Sequence, residues 1–295
     1  MTTNSRWSVA LPFGVVPALA LALASCRAPL PRATGGDAGA TAVPVLPAPQ
    51  RVALTGGALR LPATLPCHAA DTSLRPLVAV LDGEYHMLAG GHVVEASASA
   101  AAPCRLALDP TLGEQTYRLA VDSTVRITGG SYQAVAMGSV TLLQMLERRT
   151  GGGATVPRGT IADEPSAPFR ALLVDLGRQW HDVSGLEQLV ELARWYKIGY
   201  LQLHLTDDQI FTFPTRAYPE LPSPGQHYSV AELRRLDEFA RARGVAVIPE
   251  FEIPGHASLM VSRRRDVFGY AGDTSWRATI NMGRESAYAA VDSII

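Results

Sequence analysis

Lysine is almost missing from this sequence: of 26 basic residues among 295, only Lys197 is a lysine. The arginines are spread along the chain, which fits a codon-composition bias and carries no functional weight. Charge of either sign in excess is missing too. With 26 basic against 27 acidic residues the net charge is -1, so there is no broad positive field for a nucleic-acid backbone. Long apolar runs are also scarce, and the run from Val9 to Ala24 falls short of the ~20 residues a membrane-spanning helix needs. The triple glycine Gly151-Gly152-Gly153 has no Gly-Lys-Ser/Thr after it and no strand leading into it, so it reads as a loop and not a phosphate cradle. What is present is ordinary for a folded chain: 47% hydrophobic and 18% charged residues exclude a mostly disordered one.

Arg6 followed by the Val9 to Ala24 run has the form of a signal peptide, to be removed on export. Its end, Leu23-Ala24-Ser25-Cys26, resembles the bacterial lipobox, which makes Cys26 the expected lipidated N-terminus of an exported chain at the periplasm or cell surface. An ordinary secretory signal with a chance cysteine is the other reading. Residues 27–43 are dominated by Ala, Pro and Gly, the composition of a flexible or extended tether. Two cysteines remain, Cys67 and Cys104. An oxidising compartment permits a disulfide between them, and two separate buried thiols are equally compatible with the sequence.

From 44 to 168 the pattern predicts short strands and one helix. Arg51 to Leu54 and Leu59 to Leu61 flank Gly56-Gly57, a hairpin signal; Arg105 to Leu108, Tyr117 to Val121 and Val125 to Ile127 are further strands. Tyr132 to Arg149 carries Val135, Val140, Leu143 and Leu146 at helical spacing. Beyond Pro168 the pattern alternates. Strands are expected at Phe169 to Leu176, Tyr200 to Leu205 and Val245 to Phe251, and helices at Leu186 to Lys197, Ser229 to Arg243 and from Glu285 onward, with a short extended piece at Arg277 to Asn281. Ser229 and Glu232 form a capping box and Gly244 follows that helix. Three βα units in a row imply a parallel sheet or barrel. The fold expected is therefore α/β: a small N-terminal α+β domain (44–168), then the first three βα units of a TIM (β/α)8 barrel (169–295).

In such barrels the functional side chains stand at the C-terminal ends of the strands. The three strands end Val174-Asp175-Leu176-Gly177-Arg178, His204-Leu205-Thr206-Asp207-Asp208 and Glu250-Phe251-Glu252-Ile253-Pro254-Gly255-His256. In the second, Leu201, Leu203 and Leu205 share one face and Gln202 and His204 the other, so period-two alternation puts polar groups inside the barrel. Taken singly, Arg178 could be a strand-end ion pair to Asp175, Asp208 a loop cap and His256 a satisfied turn histidine. His204, Asp207, Asp208, Glu252 and His256 could also surround a metal, although their spacing matches no metal motif; no metal or cofactor is expected.

Phe169 to His181, Tyr200 to Gln209, Tyr218-Pro219-Glu220-Leu221, Tyr228 to Glu232 and Val247 to His256 resemble, in order and spacing, blocks of glycoside hydrolase family 20, the β-N-acetylhexosaminidases. Upstream, Val43 to Leu61 and Tyr117 to Leu146, with Ile127-Thr128-Gly129-Gly130 and Thr141-Leu142-Leu143-Gln144, resemble that family's N-terminal domain. The resemblance implies that Arg178 binds hydroxyls of the terminal sugar through its fork of donors, and that Asp207 and His256 form a relay toward the acid glutamate. Asp175, Asp208 and Glu252 become supporting residues; Glu252 stands where the family commonly has aspartate. The implied reaction removes terminal N-acetylglucosamine or N-acetylgalactosamine from glycans, the substrate's own 2-acetamido oxygen attacking the anomeric carbon.

That chemistry needs an adjacent Asp-Glu pair at the end of a fourth strand. Asn281-Met282-Gly283 and Glu285 to Ile295 resemble the run into the helix before it, yet the only Asp-Glu pairs are Asp163-Glu164 and Asp237-Glu238. Residues 169–295 cover about half of the ~250 residues a complete barrel occupies. The expectation is a hexosaminidase piece without hydrolytic activity. A short sugar-binding or scaffold lipoprotein, and a metal-dependent barrel hydrolase, are the alternatives.

Overall fold

The computed structural model describes residues 43–96, 102–272, 275 and 277–295. The expected signal peptide, Cys26 and all of the expected tether except residue 43 lie outside them. Among the described residues no helix is long and apolar enough to cross a membrane.

The first region is a mixed sheet with two helices. Its strands are β1 (Arg51–Leu61), β2 (Thr64–Ala69), β3 (His92–Glu95), β4 (Cys104–Leu108), β5 (Tyr117–Val121), β6 (Val125–Gly129), β7 (Glu147–Arg148) and β8 (Ala154–Asp163). They lie in the order β1-β8-β5-β6-β4-β2-β3, with β7 beside β8. From β1 to β6 neighbours are antiparallel, and from β6 to β3 they are parallel. Alternation selects the covered face: Tyr117, Leu119, Val121, Val125 and Ile127 are buried while Arg118 and Arg126 are exposed. Helices α1 (Arg75–Ala89) and α2 (Tyr132–Gln144) supply the other half of this core, through Leu77, Leu81 and Tyr85 and through Val135, Leu142 and Leu143.

Three expectations change here. Gly56-Gly57 does not turn a hairpin, because β1 runs through them as one strand along β8, with a bulge between Leu54 and Ala58. Both glycines sit at positive φ, 83° and 71°, and absorb the extra length that a side chain would resist. Among its described residues the region has two α-helices, not one: α1 starts after a short turn capped by the Asp71 carboxylate, carries Pro76 in its first turn and stops at Gly90, φ 62°. The expected helix to Arg149 ends at Gln144, and Glu147–Arg148 pairs with β8. Cys67 and Cys104 face each other across the parallel β2·β4 pair, Cα atoms 4.3 Å apart, as a buried disulfide.

The second region holds β9 (Ala171–Asp175), β10 (Tyr200–His204) and β11 (Ala246–Glu250), parallel and in the order β11-β10-β9. Helices α3 (Val183–Trp195) and α4 (Val230–Ala242) cover one face, packing on Leu172, Val174, Leu201, Leu203 and Val247. Asp182 caps α3 and the Ser229–Glu232 box caps α4. After β11, α5 (Ser258–Arg263), α6 (Arg265–Phe268) and α7 (Glu285–Ile294) close a third apolar cluster around Met260, Phe268 and Ala290. The expected extended piece at 277–281 forms no strand. The three-stranded sheet is not closed, as an incomplete barrel requires.

Buried charge joins the two regions. Arg194, 1% exposed, grips Glu84 with two nitrogens at 2.6 and 2.7 Å and donates to Ser139 Oγ at 3.0 Å. Lys197, just past α3 at φ 57°, donates to the Tyr117 hydroxyl at 3.0 Å and lies 3.6 Å from Asp163. Burial pushes its amine below the ordinary lysine range, against the pull of Asp163.

Candidate active site

The parallel register sets Asp175, His204 and Glu250 side by side, one at the last position of each strand. Period-two alternation turns all three to the face away from α3 and α4. The loops that follow bring Arg178, Asp207 and His256 onto the same spot. Gly177 makes the approach possible, since a Cβ there would stand 2.6 Å from the Cβ of Asp207.

Asp207 is the hub. Its side chain is 1% exposed, and one oxygen, Oδ2, accepts from His204 Nε2 at 2.9 Å, His256 Nδ1 at 2.8 Å and an Arg178 guanidinium nitrogen at 2.8 Å. The other oxygen accepts the Asp208 backbone N–H at 2.6 Å. Burial alone would raise this carboxyl's pKa; the hydrogen bonds from His256, His204 and Asp208 outweigh it and hold the group below the usual aspartate range. Arg178 is shared, for its other branch reaches Asp175 at 2.5 Å. The hydrogen bond it donates to Asp175 and the nearby Asp207 and Asp208 charges raise its proton affinity further. The strand-end ion pair and the contact with Asp207 therefore exist together, and they fix the guanidinium fork at the mouth while leaving it 46% exposed.

His256 adopts φ 50°, a left-handed conformation uncommon outside glycine. Its Nδ1 is committed to Asp207, whose hydrogen bond and charge raise the imidazole pKa; Nε2 makes no hydrogen bond among the described residues, and the ring is half exposed. Such a ring can hold or pass a proton at the mouth. Asp208 does structural work, accepting the Ser258 N–H at 2.9 Å at the start of α5. Glu252 donates its backbone N–H to Thr206 Oγ1 at 2.9 Å.

Behind the hub stands Glu250, which the sequence placed at the third strand end without giving it a role. Glu250 accepts from His204 Nδ1 at 2.7 Å and from Gln202 at 2.6 Å. The signal was available: alternation through Ala246, Ile248 and Glu250 puts Glu250 on the face that Gln202 and His204 share. Two groups here, His204–Asp207–His256 and His204–Glu250–Glu252, offer ligand atoms within 4.8 Å of one another. In the first, the oxygen at its centre already accepts three N–H donors, and the guanidinium among them repels a cation. The donor set suits a hydrogen-bonding site better than a metal centre.

Two family models match successive stretches of the chain: glycosyl hydrolase family 20, catalytic domain, over residues 168–293, and glycosyl hydrolase family 20, domain 2, over residues 42–164. The chain belongs to glycosyl hydrolase family 20. Among family relatives, a beta-hexosaminidase of Akkermansia muciniphila is 31% identical over 60% of this chain and 39% of its own length, and a beta-N-acetylhexosaminidase of Cellulomonas fimi is 32% identical over 56% and 35%. The chain thus spans about two fifths of the curated relatives it matches. The family fold is repeated in solved structures. The exo beta-N-acetylglucosaminidase of Vibrio harveyi, solved in complex with N-acetylglucosamine, superposes with a TM-score of 0.77 at 22% identity, covering 88% of this chain and 45% of that one. The Streptomyces coelicolor beta-N-acetylhexosaminidase gives 0.75 at 24%, covering 86% and 57%.

Proposed function

We propose that this chain carries the sugar-gripping side of a β-N-acetylhexosaminidase site, acting on glycans that end in N-acetylglucosamine or N-acetylgalactosamine. The observation that carries the reading is the convergence of Arg178, Asp207 and His256 at the strand ends. Arg178 presents a fixed fork of donors, which suits vicinal hydroxyls of a terminal sugar. Asp207 and His256 form the inner part of a proton relay. In substrate-assisted hydrolysis the acetamido oxygen attacks the anomeric carbon as a carboxylic acid protonates the leaving oxygen, and a neighbouring aspartate stabilises the acetamido nitrogen.

Neither Asp-Glu pair of the 295 residues can supply those two groups at this mouth. Asp163 is bonded to Tyr117 and Glu164 to Thr116 in the first region. Asp237 pairs with Arg241 along α4, and Glu238 borders a groove with Tyr200 and Ala246, at the opposite end of the strands. The 295-residue chain is therefore proposed to bind and not to hydrolyse. Purified chain is expected to release no chromophore from an aryl N-acetylglucosaminide, and Arg178→Ala to weaken any N-acetylglucosamine binding at least ~10-fold, the loss of a charge-assisted pair of hydrogen bonds. Chromophore release that disappears in Arg178→Ala would sink the inactive reading and leave the site assignment standing. Export and lipid anchoring at Cys26 belong to the same proposal. Mass spectrometry of the membrane-bound chain should find a lipidated Cys26 as its first residue, and an unlipidated cleaved end would overturn that part.

A further inference from the structure

His204 lies between two carboxylates, Nδ1 2.7 Å from Glu250 Oε1 and Nε2 2.9 Å from Asp207 Oδ2, with its side chain only 9% exposed. An ionised carboxylate has no proton to give. Both ring nitrogens must then donate, which only the doubly protonated ring can do. We propose that His204 is a positioning residue: held as an imidazolium by Glu250, it keeps Asp207 ionised and aimed, and so sets both the proton affinity of His256 and the seat of Arg178.

Charge then alternates along the chain of contacts: Glu250 negative, His204 positive, Asp207 negative, with His256 and Arg178 positive at the mouth and Asp175 negative beyond. Gln202 steadies the Glu250 end by donating to its second oxygen at 2.6 Å. The groups facing His204 are Glu250 and Asp207, with Asp175 in the neighbouring strand and Glu252 close by; those facing His256 are Asp207, Arg178 and Glu252. Burial would strip the His204 proton, and the bonds to Glu250 and Asp207 outweigh it, so the ring's proton affinity is raised. Because His204 and His256 bind the same oxygen, each positive ring opposes the other. Neutralising His204 should make His256 hold its proton more tightly.

The purpose assigned to this chain of charges rests on the glycosidase reading, but its test does not. Nitrogen-detected histidine NMR of the full chain reads each ring separately, with the other histidines as internal references. In the wild type, both His204 nitrogens are expected to carry protons through neutral pH; a neutral His204 ring there overturns the proposal, whatever any variant does. In Glu250→Gln the His204 midpoint is expected to fall and that of His256 to rise. Midpoints that stay put, or move together, overturn it as well. A packing role alone would move neither, and should Glu250→Gln fail to fold, the wild-type measurement decides. Loss of sugar binding with these titrations intact would count against the functional reading and not against this one.

Discussion

On the first sheet, the face turned away from α1 and α2 carries Arg118 and Arg126 in the open, spread across neighbouring strands. On the second, the face turned away from α3 and α4 is sorted along its length. Phe169 stacks on Tyr200 near the strand starts and Leu173 follows, both Phe169 and Leu173 more than half exposed, while Asp175, His204 and Glu250 stand together at the strand ends. Solvent exposure alone asks for polar residues anywhere on a face. Charge gathered at one end only is what a site at that end requires, and the contrast supports the proposed placing of function in the second region.

The largest effect is expected from parting the regions. Arg194→Ala removes one partner of a buried pair and deprives Glu84 and Ser139 of the donor it supplies; it should cost about 3–5 kcal/mol and split one denaturant transition into two. A single transition with unchanged midpoint would mean that the regions are not held by this contact. Next, reducing Cys67–Cys104, which closes a sequence separation of 37 residues, should take about 3–4 kcal/mol from the first region by freeing its unfolded chain. Histidine signals at the second region's mouth should stay where they are, and movement there would show that the sheets are coupled more tightly than the contrast allows.

pH sharpens the difference. The depressed carboxyl of Asp207 contributes stability that is fully present above the ordinary aspartate value of ~3.9 and is lost as pH falls through its own lower value. The raised imidazole of His204 contributes stability fully present below ~6.5 and lost as pH rises through its higher value. Melting temperature against pH should therefore show a plateau between two limbs, with Asp207→Asn flattening the acid one; an unaltered acid limb would place the acid sensitivity elsewhere. The smallest effect expected is local. Ser229→Ala opens the capping box of α4 and should cost about 1 kcal/mol, read by hydrogen exchange in that helix and nowhere in the first region.

The second region was the more legible of the two. Its period-two strands, capped helices and charged strand ends can all be read from residues close together in sequence, and its three expected strands and three expected helices formed within a few residues of their bounds, whereas the extended piece at 277–281 did not form and α5 and α6 were not foreseen. The first region hid more because its signals are tertiary. A glycine pair looks alike in a hairpin and in a bulge, and only the length of β8 alongside decides. Helix α1 has Leu74 at its N-cap with no side-chain bond, so its start carried no polar marker. At the site, Arg178, Asp207 and His256 could be picked out through motif and strand-end position. Alternation could have put Glu250 on the inner face, but its pairing with His204 is set by the register of β10 against β11, which no local pattern contains.

Lys197 has a practical consequence for anyone handling this protein. Its amine is the only one any lysine provides in the chain, and in the folded state it is 4% exposed between the two regions. Amine-reactive reagents should pass over it while the regions stay docked and acylate it as they come apart, so one mass increment at one position would report that opening. The residue scarcest in the composition thus becomes a chemical tag built into the seam.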